Sequence, residues 1–329
     1  MRLWELYHSE KPAFLREMAA SPALRRLEDV GMNCGCEYTQ FPLFRDLGHY
    51  SRYDHSVGVG LIVWHFTRDP AQAAAGLLHD VATPVFAHVV DFLRGDYLVQ
   101  ETTENDTEER IRFSPELRAV LEGLSLSVEA VSNYHRYSIA DNDTPLLSAD
   151  RLEYTLGNLV NFGFAGRETV KLCYDDLTVE KNERGEPELM FRSRDTALIF
   201  AEGALRCSRV YVAKEDRYSM QMLAEILGDA IRAGVLAEPE LNETESVVIE
   251  KLRSDAEFSR RWERFCAYRE ILTADVPGPE PGWRQIPAKR RYIDPAVAGQ
   301  GRVSALFPAF GERLSTFLSE SFEPWLRGV

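Results

Sequence analysis

Four short stretches of this chain carry residues that chemistry could use: Arg52-Tyr-Asp-His55, His79-Asp80, His88 with Asp91, and Asp150-Arg-Leu-Glu-Tyr154. Histidines mixed with carboxylates suit one divalent metal ion. Hydrolysis at a metal needs neutral imidazoles and carboxylates as ligands, with positions left open for water and substrate. His79 and Asp80 are adjacent, and neighbours on an α-helix point about 100° apart, so both reach one ion only close to a helix end. The chain supplies that end: AAAGLLHD is followed by VATPV, where Thr83-Pro84 disfavours helical continuation. Arg52 precedes His55 by one helical turn, which puts a ligand and a guanidinium on one face; the planar fork of arginine binds phosphate oxygens in pairs. Asp150 and Tyr154 also share a face, so Tyr154 is expected to touch a substrate held at the metal.

Elements able to position these residues are mostly helical, and the chain reads as mainly α. Apolar residues recur at three- and four-residue spacing over 12–30, 52–67, 71–80, 84–94, 103–112, 115–123, 127–136 and 146–162. Asp69-Pro70 is a good helix start. Two short runs, 177–180 and 188–191, flank a polar Gly-containing turn and predict a β-hairpin. Helices are predicted again over 194–214, 217–234, 243–253 and 255–273. The segment 276–287 is a Pro/Gly linker, followed by a strand-like stretch near 291–293 and a last helix near 309–322.

Other residues carry weaker signals. His65 sits in an apolar helix and reads as a packed core residue, and His8, His49 and His135 as surface or structural. Cys34-Gly-Cys36 with His49 lacks the four ligands and wider spacing of a structural zinc site, and is expected to be a tight loop with buried thiols. Five scattered cysteines make no disulfide framework and suit reduced thiols in a cytoplasmic protein. The opening MRLWELYHSEKPAF is charged throughout, unlike a secretory leader, and no run approaches the ~20 apolar residues that span a bilayer. A net charge of -14, from 52 acidic and 38 basic residues, argues against nucleic acid as a partner, because phosphate backbones demand clustered cations. It leaves room for a small anionic substrate in a locally positive pocket.

RYDHSVGVG, LLHDVATPVFAHVVD and SADRLEY resemble the three signature segments of the HD-domain phosphohydrolases. More narrowly, they resemble the deoxynucleoside triphosphate triphosphohydrolase branch that includes the SAM-and-HD-domain enzymes. The resemblance runs from about residue 20 to about residue 300. It implies an HD helical bundle with a small β-hairpin and a helical C-terminal lobe. Its parts would be an N-terminal helix and loop (1–50), a metal-binding core (51–175), a hairpin with a helical extension (176–275), and a linker with C-terminal segment (276–329). The family's metal set carries over onto His55, His79, Asp80 and Asp150, holding one divalent ion: Mn, Mg, Fe, Ni, Co or Zn. RLEDVGMNCGCEYTQFP resembles the segment that reads a nucleotide base, and RRYIDP resembles part of the C-terminal lobe. Tyr211 and Lys214 match substrate contacts, Asn158 stands where the family has a sugar-contacting Asp, and the branch forms dimers or higher homo-oligomers.

The chain departs from the family in the groups around the metal. Thr83 stands where the family has a histidine, Gln100-Glu101 where it has a His-Glu pair, and Ala213 replaces another histidine. Threonine is no general acid at neutral pH, whereas histidine is. The expected function is hydrolysis of a nucleotide or nucleotide-like phosphate ester, a deoxynucleoside triphosphate among the candidates. Arg52 and Arg151 would neutralise phosphate, Arg52 acting on substrate and not on metal. His88, held by Asp91, would position phosphate or protonate the leaving group. The alternative is a catalytically reduced HD-fold protein that binds a nucleotide or regulates a partner.

Overall fold

Side-chain caps and prolines start the helices that carry the candidate residues. In the computed structural model, which describes residues 2–7, 10–95 and 106–329, Ser51 accepts from Asp54 N and opens α3 (Arg52–Thr67). The predicted span is thus the observed one. Before it, the helix expected over 12–30 is divided. α1 (Ala13–Ala19) stops, Ser21 caps a new start at Pro22, and α2 (Pro22–Arg25) runs into a 3-10 turn. Asp69 caps α4 (Pro70–Leu78) by accepting from Ala71 N and Gln72 N.

The helix expected over 84–94 begins late. Residues 81–88 form successive turns with Phe86 and Ala87 at positive φ, and only Val89–Arg94 (α5) is helical. α6 (Thr107–Phe113), α7 (Pro115–Gly123) and α8 (Val128–Val131) follow, and a separate 3-10 turn at Tyr134–Arg136 replaces the second half of the helix expected over 127–136. Gln100-Glu101, His8 and the first residues of the helix expected from 103 lie outside the described residues. Ser148 caps α9 (Ala149–Asn161), and α10 (Arg167–Asp175) leads into the hairpin. Its strands, β1 (Leu177–Lys181) and β2 (Pro187–Phe191), pair antiparallel with Leu177 opposite Phe191.

Then come α11 (Arg194–Tyr211), α12 (Lys214–Arg232), α13 (Glu245–Ser254) and α14 (Ala256–Cys266). The helix expected over 255–273 ends at Cys266, because residues 271–274 are β3 (Ile271–Ala274), an edge of a three-stranded sheet. Its centre is β7 (Trp325–Gly328), and β4 (Arg284–Gln285), inside the predicted linker, closes the other edge. No strand forms at 291–293; β5 (Ala296–Val297) instead adds to β2 and pairs with β6 (Gly301–Arg302). α15 (Val303–Leu306) and α16 (Pro308–Ser319) complete the helices.

The fold is mainly α, with two small sheets. Apolar residues gather in two clusters. One unites α3, α4, α9 and α11 with the hairpin; the other unites α5, α12, α13 and α14 with the loop around Cys34–Phe44 and the three-stranded sheet. A cavity of about 310 Å³ is lined from both and takes in most of the candidate residues, His55, His79, Asp80, His88 and Asp150 among them. No helix among the described residues is long and apolar enough to cross a membrane.

Candidate metal centre

His55 leaves the first turn of α3, and His79 and Asp80 follow the last residue of α4, so the adjacent pair does sit at a helix end. Ligating atoms of His55, His79 and Asp80 lie within 4.8 Å of one another, and all three residues are buried. His55 Nε2 is 3.2 Å from His79 Nε2 and 3.9 Å from Asp80 Oδ2. Asp150, from the first turn of α9, adds an oxygen 3.0 Å from His55 Nε2 and 3.7 Å from His79 Nε2.

The donor set fits a divalent cation. His55 Nδ1 faces Glu153 at 2.6 Å and His79 Nδ1 faces the Gly76 carbonyl at 2.7 Å. A ring whose Nδ1–H is donated presents a lone pair at Nε2. Both Nε2 atoms therefore turn toward one point already flanked by two carboxylates, a convergence that demands positive charge. The electrostatics of the cluster express the same demand. Burial alone would depress His55, but Asp150 and Glu153 outweigh it and push the imidazole up to about 10. Burial opposes ionisation of Asp80 as well, yet Arg52 and the two imidazoles hold it far below the usual carboxylate range. Two His and two Asp serve Mn, Fe, Co, Ni, Zn or Mg.

Around these four, the cavity wall is cationic on one side. Arg52 Nη1 bonds Asp80 Oδ2 at 3.0 Å, so this guanidinium braces a ligand as well as facing the cavity. The expectation that Arg52 serves substrate alone is corrected by that contact. Thr83 donates its hydroxyl to the other oxygen of Asp80 at 2.7 Å. His88 accepts or donates at both ring nitrogens: Nδ1 is 2.9 Å from Asp91 Oδ2 and Nε2 is 3.2 Å from Arg291 Nη2. Burial, then Arg291, Arg52 and Lys289, hold His88 well below its ordinary value, so the ring is neutral at pH 7.

The remaining candidates divide. Tyr154, Asn158 and Tyr211 line the cavity; Asn158 Nδ2 donates to Tyr211 Oη at 2.8 Å, and the two tyrosine rings meet edge-on at 6.2 Å. Burial pushes the Tyr154 hydroxyl up to about 12. Arg151 reaches the cavity wall, but its Nη1 is spent on Asn142 Oδ1 at 2.6 Å, with Asp141 Oδ1 at 3.5 Å. Lys214 is not brought to the cavity. Its ammonium donates to the Ile271 carbonyl at 2.7 Å, tying α12 to β3.

Several residues of the site carried no signal that spacing could reveal. Glu153 lies inside the SADRLEY stretch, one turn after Asp150. Arg291 and Lys289 reach the cavity from the C-terminal segment, within and just before RRYIDP. His135, expected to be structural, lines the cavity and pairs with Asp141 at 2.7 Å. Met32, Asn33 and Cys34 also line it, in the segment where the resemblance places base recognition; both Cys34 and Cys36 are buried in a tight loop, with Cys34 and Gly35 at positive φ. His65 packs its ring against Phe66 and Tyr174, away from the site.

Comparison with known proteins agrees with this geometry. No protein-family model matches the chain. It is 26% identical to the uncharacterized protein YdhJ of Bacillus subtilis, over 73% of this chain and 71% of that one. It is 25% identical to the metal-dependent phosphohydrolase cns2 of Cordyceps militaris, over 96% of this chain and 92% of that one. The crystal structure of a hypothetical protein from Aquifex aeolicus superposes with a TM-score of 0.66 at 18% identity, over 99% of this chain and 95% of that one, so the two share a fold. Together with the His-His-Asp cluster, the distant likeness to a metal-dependent phosphohydrolase supports the resemblance at the level of the HD-type superfamily.

Proposed function

We propose that the chain is a metal-dependent phosphohydrolase acting on a phosphate ester of a nucleotide or a nucleotide-like molecule. The observation that carries this reading is the convergence of His55, His79, Asp80 and Asp150 in a cavity also lined by His88 and Arg291. A protein 25% identical to this one is named a metal-dependent phosphohydrolase. A cavity of about 310 Å³ is of ligand size. Phe44, Phe162 and Tyr134 also line it, aromatic faces suited to a planar base, with the Tyr134 ring 4.9 Å from that of His79.

The four ligands would hold one divalent ion, which supplies Lewis acidity toward a phosphoryl oxygen and toward the attacking water. Arg52 and Arg291 offer guanidinium N–H groups to phosphate oxygens. His88 is neutral while cations surround it. A bound phosphate dianion offsets those cations, which raises the affinity of His88 for a proton and lets it pass one to the departing oxygen. Asp91 keeps the ring oriented throughout.

Hydrolysis of a deoxynucleoside triphosphate is the narrower form of this reading. Against it stands the thinning of cations: Lys214 and Arg217 are both spent on backbone carbonyls. The second reading, a nucleotide-binding protein without turnover, is favoured by Thr83, whose hydroxyl holds Asp80 where the family has a histidine. One experiment separates them. Purified protein is analysed for bound metal, then assayed for phosphate release from nucleoside mono-, di- and triphosphates with Mn²⁺ added. Metal-dependent release from any of them supports the enzyme; nucleotide binding with no release across the panel overturns it in favour of the second reading. Light scattering on the same sample tests the proposed homo-oligomer.

A further inference from the structure

We propose that Glu153 is a positioning residue of the metal centre, acting through His55, and that Tyr7 and Tyr50 hold its carboxylate in place. The inference rests on the metal-centre reading and deepens it. Glu153 follows the ligand Asp150 by one turn of α9 and is 1% exposed. A carboxylate so buried is costly unless its oxygens are hydrogen-bonded. Here one oxygen faces His55 Nδ1 at 2.6 Å and accepts from the Tyr50 hydroxyl, while the other accepts from the Tyr7 hydroxyl at 3.3 Å.

No Lys or Arg pairs with Glu153 among the described residues. Its negative charge is therefore answered through the imidazole, toward the ion that His55 would hold. A carboxylate behind a ligating histidine fixes the tautomer, sets the ring angle and makes the nitrogen a better donor. Tyr7 and Tyr50 anchor that carboxylate from the far side, and they come from the N-terminal segment and the 31–50 loop rather than from the helices that carry the ligands.

The slot is built for this arrangement. A Cβ at Gly58 of α3 would lie 2.6 Å from Glu153 Cγ and Oε1. A Cβ at Gly157 of α9 would lie 2.2 Å from the Tyr50 hydroxyl. Both helices thus give up a side chain where the carboxylate and its phenol pass between them.

The test uses Glu153→Gln, which keeps the shape and an acceptor for Nδ1–H while removing the charge. Mn²⁺ affinity of the full-length protein is measured by chelator competition, together with the electron paramagnetic resonance spectrum of bound Mn²⁺ and the melting temperature without metal. The expected result is Mn²⁺ binding weakened about 10–100-fold with an altered spectrum. Tyr50→Phe should weaken it in the same direction by less. Glu153→Gln that melts lower yet binds Mn²⁺ with parental affinity and spectrum overturns the proposal, because that is a purely structural role. Where Glu153→Gln does not fold, Tyr50→Phe decides by the same two readouts. A parent that binds neither Mn²⁺ nor Zn²⁺ overturns the metal centre itself, whereas a parent that binds but releases no phosphate leaves this inference standing and removes only the proposed activity.

Discussion

Thr83 donates its hydroxyl to Asp80 Oδ1 at 2.7 Å, three residues on from the ligand it holds. The position where the resembled family has a histidine is here a hydrogen-bond partner of Asp80. Thr83→Val keeps the volume and removes the hydrogen bond, leaving one oxygen of Asp80 unpartnered. Mn²⁺ affinity should fall several-fold, read by chelator competition. Thr83→His should destabilise the protein by about 1–3 kcal/mol, because Thr83 is only 3% exposed and a larger ring overpacks its site. A variant with parental melting and raised triphosphate turnover would refute this.

Arg52 is paired with Asp80 inside the protein, so the pair must be read as a unit. Truncating one member of a buried ion pair strands the other and costs about 3–5 kcal/mol. Arg52→Ala should therefore lower the melting temperature and weaken metal binding as well as impair turnover. Arg52→Lys keeps the charge but not the fork, and its loss should be smaller on stability than on KM. Metal content and affinity unchanged in both variants would show that Asp80 needs no brace.

His88→Ala should reduce turnover by about 10²–10⁴-fold, the usual contribution of a general acid–base group, with metal content intact. Asp91→Asn should lose less, since it disturbs only the orientation of the ring. Burial depresses His88 first and Arg291 second. Arg291→Ala removes the second cause, so the proton affinity of His88 rises and the limb of the pH–rate profile that it sets should move to higher pH. A limb that stays in place, or turnover indifferent to His88→Ala, counts against His88.

Asp216 lines the cavity from the first turn of α12, and its nearest described hydrogen-bond donor is the Cys36 thiol at 3.9 Å. Burial pushes this carboxyl up to about 8, although Arg291 and Arg217 pull the other way. The folded chain then keeps a proton that the unfolded chain releases near its ordinary value of about 4. Stability from this group is fully present below about pH 4 and is lost as pH rises toward 8, after which the loss is complete. Asp216→Asn carries no such titration. Denaturant midpoints measured from pH 5 to pH 8 should fall for the parent and flatten for the variant; parallel curves would contradict the assignment.

Elements are legible in the sequence where the interaction they depend on is local. Ser51 before Arg52, Asp69 before Pro70 and the turn between residues 181 and 187 act within a few residues of themselves, and the helices and hairpin follow. The same holds for His79-Asp80, whose helix end is written in Thr83-Pro84. Errors came where a partner is distant. Residues 271–274 continue an amphipathic helical pattern, and only pairing with Trp325–Gly328, some fifty residues on, makes them a strand. Pro22 both starts α2 and stops the helix before it, which divides the span expected over 12–30.

By itself the sequence determined that the chain is mainly helical, that it is acidic overall, and that two imidazoles and two carboxylates stand at positions from which helices can aim them. Those are matters of residue type and short spacing. Only the tertiary structure decided what stands behind and beside the ligands. Glu153 meets His55 across 98 residues, Tyr50 meets Glu153 across 103, and Arg291 meets His88 across 203. It also decided that Lys214 is spent on a strand carbonyl and that Arg52 braces Asp80. A long side chain reaches several partners from one backbone position, and which of them it finds is set by how helices pack across the core, an outcome that periodicity along the chain does not contain.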